Sequence, residues 1–183
     1  ATIGIIRSAF GLQGQKCSAA SRVIADESVY DELTTRLKDA ASKLVLGDPT
    51  ERNTYNGPVV NNSSYKDFKD FCEEINQGGG KFLVGGNVKT GCMFDKGYYC
   101  ENTFVTDLPF THRLWKEEMF LPITTIGKVK SMDEAMAIAN DVNYGLTAGF
   151  YGSPEETEWF FDKIEAGVTY ANRPQGATTG AWP

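Results

Sequence analysis

Apolar side chains recur along this chain with two periods, one of about 3.6 residues and one of about 2, and their alternation predicts the elements. Val29, Leu33, Leu37, Ala40 and Leu44 fall at helical spacing behind an acidic Asp26-Glu27 start, and a short strand over 21–25 precedes them. Tyr65, Phe68, Phe71, Cys72 and Ile75 form the apolar face of a second helix that stops at Gly78-Gly79-Gly80. The run 81–84 then reads as a strand. Residues 85–102, rich in glycine and aromatics without a clear period, read as loop and short strand. Two further strands are predicted over 103–105 and 124–129. Ser131-Met132-Asp133-Glu134 is a capping-box pattern ahead of Ala135, Met136, Ile138 and Ala139. Ser153-Pro154-Glu155-Glu156 places a cap, a first-turn proline and an N3 glutamate ahead of Trp159, Phe160 and Ile164. Apolar strands over 146–151 and 167–171 lie between and after these two helices.

Strands that alternate with helices in this way imply an α/β fold, a mostly parallel sheet with helices on both faces. In such sheets ligands gather at the carboxyl ends of the strands, which makes the loops holding Gly145 and Pro174 candidate rims of a site.

Composition narrows the function. A chain of 183 residues, 41% hydrophobic and 12% aromatic, buries one sizeable core and reads as one domain. The net charge of -6 is spread over 24 acidic and 18 basic residues without a long run of one sign, so the chain points to no nucleic acid and no membrane partner. A small organic substrate fits that surface better. The four cysteines, at 17, 72, 92 and 100, form no Cys-x-x-Cys pair, and with a single histidine, His112, they argue against a metal site. Thiols this sparse in a chain with a full core read as reduced, in a cytoplasmic protein. No apolar stretch approaches a membrane span, and the N-terminus has no signal-peptide pattern. Ala1 enters at once on Ile3, Ile5 and Ile6, and Thr179-Gly180-Ala181-Trp182-Pro183 stops in mid-loop, so both ends are expected to be cut.

Candidate chemistry centres on Cys17 in Gly14-Gln15-Lys16-Cys17-Ser18-Ala19. Small neighbours leave room for a substrate, and the cation at Lys16 favours thiolate, the nucleophilic form. About a hundred residues on stands Lys116-Glu117-Glu118-Met119-Phe120-Leu121-Pro122-Ile123. The two segments, their spacing and the helix-strand alternation around them resemble the C-terminal catalytic domain of the aldehyde dehydrogenase superfamily, along nearly the whole of 1–183.

That resemblance implies a set of roles. Cys17 matches the catalytic cysteine, with its own backbone N–H as one oxyanion donor. Glu118 and Phe120 match a Glu-x-Phe in which the carboxylate holds the nicotinamide ribose of NAD or NADP and the ring supports the nicotinamide. Glu117 is read as solvated. Leu121-Pro122 stands where most members have Gly-Pro. Ser18 and the segment Thr179-Gly180-Ala181 resemble the 1-pyrroline-5-carboxylate dehydrogenase branch, whose substrate is glutamate semialdehyde. There the serine hydroxyl and the N–H groups of a Gly-Ala loop, here Ser18, Gly180 and Ala181, bind the substrate's α-carboxylate. Asn172-Arg173 also resembles this branch, with Arg173 in a structural or surface role.

The same resemblance implies a cofactor-binding domain of the same polypeptide that precedes position 1, carrying the general-base glutamate and the asparagine of the oxyanion hole. The intact enzyme is expected to be a homo-oligomer, and the chain alone to be inactive. Three rival readings remain. One is another aldehyde dehydrogenase, acting on succinic semialdehyde or an aliphatic aldehyde. The second is a cysteine hydrolase in which His112 activates Cys17. The third is a non-catalytic α/β interaction domain.

Overall fold

The computed structural model describes residues 1–174. In chain order its elements are α1 (Thr2–Phe10), β1 (Arg22–Asp26), α2 (Glu27–Ser42), α3 (Asn62–Gln77), β2 (Lys81–Val84), β3 (Thr103–Thr106), β4 (Ile123–Val129), α4 (Met132–Asn140), β5 (Thr147–Phe150), α5 (Pro154–Lys163) and β6 (Val168–Ala171). Most match the sequence reading to within a residue or two. The exception is α1, which that reading lacks: its first residue is preceded by Ala1, which has no side chain with which to cap the free N–H groups.

The capped helices begin where their side chains dictate. Asp26 accepts from Ser28 N–H at the head of α2 at 2.9 Å, and Asn61 accepts from Ser64 N–H at the head of α3 at 2.9 Å. At α5 the capping box is complete: Ser153 Oγ accepts from Glu156 N–H at 3.3 Å and Glu156 accepts from Ser153 N–H at 2.7 Å. At α4 the box is displaced. Ser131 Oγ accepts from Glu134 N–H at 3.2 Å, but the Glu134 carboxylate turns to Lys130 N–H at 2.8 Å, one residue earlier than the pattern expects.

Four strands form one sheet in the order β1-β4-β3-β2. β1 and β3 both run parallel to β4, while β2 is an antiparallel edge strand on β3. β5 and β6 pair in parallel as a second, two-stranded sheet. The fold class stands, with one difference from expectation: the mostly parallel sheet is divided in two. Alternate residues of the strands face opposite helices, as the pleat requires. Phe104 and Ile126 join α1 and α2 in one cluster, and Val105 and Ile123 join α3 in the other. Helices therefore cover both faces of the larger sheet.

Candidate active site

Because β1 and β4 are parallel neighbours, the segments that enter them meet at the amino ends of the two strands. The segment entering β1 carries Cys17; the one entering β4 carries Glu118 and Phe120. Their junction is a shallow depression, open to solvent, between Gly14, Lys16 and Ala19 on one side and Glu118, Phe120 and Leu121 on the other; Cys17 and Ser18 lie in the loop beside it and are not among the residues that line it. The depression lies at amino ends, whereas the sequence reading looked to carboxyl ends, where Pro174 stands after β6. Gly145 also lies before β5, where its carbonyl accepts from Gly167 N–H at 2.7 Å, so its loop is at an amino end as well.

The approach of the two segments depends on Gly14. Its φ is +67°, and a Cβ built there would stand 2.2 Å from Leu121 O and 3.0 Å from Pro122 N. Only glycine tolerates both the left-handed backbone and that contact. Leu12 and Gln13 before it are also left-handed, at φ 54° and 57°, so the chain coils tightly between α1 and Cys17. Beyond the cysteine the loop is anchored: Ala20 N–H donates to Ser8 O at 3.1 Å, and Thr124 Oγ1 donates to Ala20 O at 2.8 Å. The Gln15 amide holds the near side, accepting from Val60 N–H at 2.9 Å and donating to Ser64 Oγ at 3.2 Å.

Cys17 is exposed, whereas Ser18 beside it is buried at 4%. Cys72 and Cys100 lie in the core, where desolvation pushes each thiol up to about 12. Glu101 adds to that shift at Cys72, and Cys72 adds to it at Cys100. Those two are neutral thiols at any physiological pH. Cys92 is the other exposed cysteine, in a short turn on the 85–102 segment.

On the facing segment Glu118 is exposed, and Phe120 holds a left-handed φ of 54° with 44% of its surface open to solvent. A large ring exposed on strained backbone is an arrangement that surrounding structure must enforce. Here Met119 and Leu121, at 5% and 4%, are buried on either side of it. Leu121-Pro122 thus fits the turn: Leu121 fills the core, its carbonyl meets Gly14, and Pro122 O accepts from Thr103 N–H at 2.8 Å. Glu117 is exposed, as expected, but paired with Arg113, which also reaches Glu74 on α3.

His112 belongs to that corner and does not line the depression. Its Nδ1 accepts from Leu114 N–H at 3.3 Å, and its Nε2 is 3.7 Å from Glu74 Oε1. Asn172 clamps the turn after β5, accepting from Gly152 N–H at 3.2 Å and donating to Gly152 O at 2.9 Å. The Arg173 guanidinium lies over the Tyr170 ring at 5.6 Å. Gly180 and Ala181 fall outside the described residues. Among the described residues no helix is long and apolar enough to cross a membrane.

Comparison with known proteins follows the same lines. The family model described as "Aldehyde dehydrogenase family" matches residues 1–183. The 1-pyrroline-5-carboxylate dehydrogenase of Anoxybacillus flavithermus is 36% identical over 181 residues, covering 98% of this chain and 34% of the relative. A crystal structure of 1-pyrroline-5-carboxylate dehydrogenase from Thermus with bound NAD superposes with a TM-score of 0.87 at 35% identity, over 96% of this chain and 33% of that one. Aldehyde dehydrogenase 21 from Physcomitrella patens, in complex with the reaction product succinate, gives a TM-score of 0.84 at 31% identity, over 93% of this chain and 34% of that one. The chain spans about a third of the length of the curated relatives it matches.

Proposed function

The chain belongs to the aldehyde dehydrogenase family, and from that premise we propose that it carries the catalytic part of an NAD(P)-dependent dehydrogenase for glutamate semialdehyde. The observation that carries this reading is the meeting of the Cys17 loop and the Glu118-Phe120 turn at one solvent-open depression.

The residues present fit a nicotinamide dinucleotide. Glu118 offers an exposed carboxylate for ribose hydroxyls, Phe120 offers an exposed ring face for a flat heterocycle, and Gly14, without a side chain, lets the Cys17 loop close on Leu121 beside them. When bound, the dinucleotide supplies the hydride acceptor. Cys17 Sγ, as thiolate, adds to the aldehyde carbon and gives a tetrahedral adduct whose oxyanion the Cys17 backbone N–H stabilises. Loss of hydride from that carbon leaves a thioester on Cys17. Water then releases the carboxylic acid and returns the thiol, with the base for that step supplied by another part of the polypeptide. Ser18, Gly180 and Ala181 hold the substrate's α-carboxylate and so select an amino acid semialdehyde.

A second reading is favoured by one relative: the Physcomitrella enzyme was solved with succinate, and 31% identity to it keeps succinic semialdehyde open as the substrate. The test is NAD(P) reduction by the full-length polypeptide with glutamate semialdehyde and with a five-carbon aldehyde that lacks the amino acid head group, using Cys17→Ser as the blank. A preference of about a hundredfold in kcat/KM, worth nearly 3 kcal/mol, is expected. Equal rates would withdraw the glutamate assignment and keep the dehydrogenase. A rate that survives Cys17→Ser would withdraw the nucleophile.

A further inference from the structure

Two buried asparagines join the Cys17 loop to the Glu118-Phe120 turn through the core. Asn56, in the connection between α2 and α3, is 1% exposed, and Asn102, just before β3, is 7% exposed. Asn56 Nδ2 donates to Phe10 O at 2.6 Å, at the end of α1. Asn102 Nδ2 donates to Asn56 Oδ1 at 2.8 Å. The next residue, Thr103, donates its N–H to Pro122 O at 2.8 Å, and Leu121 O lies against Gly14. Gly14 returns within four residues to Phe10. The contacts therefore close a ring: Phe10, Asn56, Asn102, Thr103, Pro122, Leu121, Gly14.

Polar side chains this deep are retained at a cost. Asn102 Oδ1 is buried with no hydrogen-bond partner among the described residues, a penalty that an apolar residue would not carry. Asparagine earns no packing advantage over leucine of similar size. What it supplies here is direction, since the two amides in series fix the distance from the Phe10 backbone to that of residue 102, two segments that would otherwise slide on an apolar contact.

We infer that Asn56 and Asn102 are positioning residues that set the spacing between the nucleophile loop and the nicotinamide turn. They touch neither substrate nor cofactor. This rests on the reading of the site given above, because the spacing matters to hydride transfer only if Cys17 holds the aldehyde and Phe120 supports the nicotinamide. Transfer falls steeply with misplacement of the two partners, whereas the ability of each half-site to bind its own ligand does not.

The experiment uses the full-length polypeptide and reads placement separately from turnover. In a background where every exposed cysteine of the full-length polypeptide except Cys17 is replaced by serine, Cys92 among them, and Glu118→Cys is introduced, dibromobimane, which fluoresces when both of its arms are bonded to thiols, reports the approach of Cys17 to position 118. Asn102→Leu is expected to lower the crosslinking yield by about tenfold and, in the otherwise native protein, kcat by about as much, while the Kd for NAD stays within about threefold. Asn102→Ser, which keeps a hydroxyl donor, is expected to recover part of both and serves also if the leucine variant does not fold. Phe160→Ala, remote from the ring, controls for lost stability and should keep both readouts near the parent values. Crosslinking and kcat at the parent level in folded Asn102→Leu would overturn the proposal, as would equal losses in Phe160→Ala. If the parent protein shows no Cys17-dependent NAD reduction, the functional reading falls, and the crosslinking yield still decides the positioning.

Discussion

Residues 1–129 and 131–174 are built from the same alternation of strands and helices, but the first part buries its apolar faces and the second scarcely does. Leu37, Phe68, Ile75, Phe104 and Val105 are wholly excluded from solvent in the first. In the second, Phe160 alone among the described residues is a buried hydrophobic, α4 has no buried residue, and β5 and β6 are only partly covered. Periodicity told where each helix lies and which face is apolar. It did not tell how deep that face would sit, because depth depends on what packs against it. The candidate site belongs to the dense part: Cys17, Glu118 and Phe120 are exposed side chains on the segments that lead into β1 and β4, and β4 is buried along nearly its whole length. Exposed chemistry is held accurately when the residues on either side of it are locked.

The sharpest way to break this contrast is a matched pair of truncations. Phe104→Ala should cost about 3–5 kcal/mol and Phe160→Ala less than about 2, measured by urea unfolding at unchanged m-value. Equal losses would mean that the two parts are equally packed. Amide exchange tests the same point without mutation. Protons of β5 and β6 should exchange at least about a hundredfold faster than those of β4, a difference of about 2.7 kcal/mol in opening free energy. Identical protection would make the chain one cooperative unit.

The thiols of the dense part supply a pH test. Burial raises Cys72 and Cys100 from the ordinary 9.0 to about 12, so above pH 9 the unfolded chain gives up protons that the folded one keeps. The stability these neutral thiols contribute is complete below pH 9 and is lost as the pH climbs towards 12. Urea midpoints should fall across that window, and the fall should be shallower in Cys72→Ala; a slope unaffected by that substitution would remove the assignment. The smallest effect separates the two parts by their helix caps. Asn61→Ala and Ser153→Ala should each cost about 1 kcal/mol. The first loss should appear in global unfolding, the second as faster exchange confined to α5.

Caps and periods made α2, α3, α4 and α5 legible, since each carries its own start signal and apolar face. α1 was not, because nothing at Ala1 marks a start. The division of the sheet and the reversal of β2 were hidden for another reason. Strand pairing is settled by partners far along the chain, and residues 85–102 carry no short hairpin signal between β2 and β3. In the candidate site, the residue types of Cys17, Glu118 and Phe120 were readable, and so was the glycine at 14. That Gly14 meets Leu121 was not, nor that the depression would open at amino ends. Asn56 stands in Tyr55-Asn56-Gly57-Pro58, where it reads as an ordinary turn residue. Its role as a core hydrogen-bonding group depends on Asn102, 46 residues away.

The pairing of β1 with β4 also orders events in time. Ala20 and Thr124, joined by a hydrogen bond across 104 residues, bring together the early and late parts of the chain. A chain emerging from the ribosome makes Cys17 long before it makes the strand that holds the cysteine loop in place. Until β4 arrives, the thiol rides on a segment with no register, and α1, α2 and α3 can form only as local helices. Cys17 is thus made about a hundred residues before the strand that sets its loop, and over that interval of synthesis its thiol is open to oxidation.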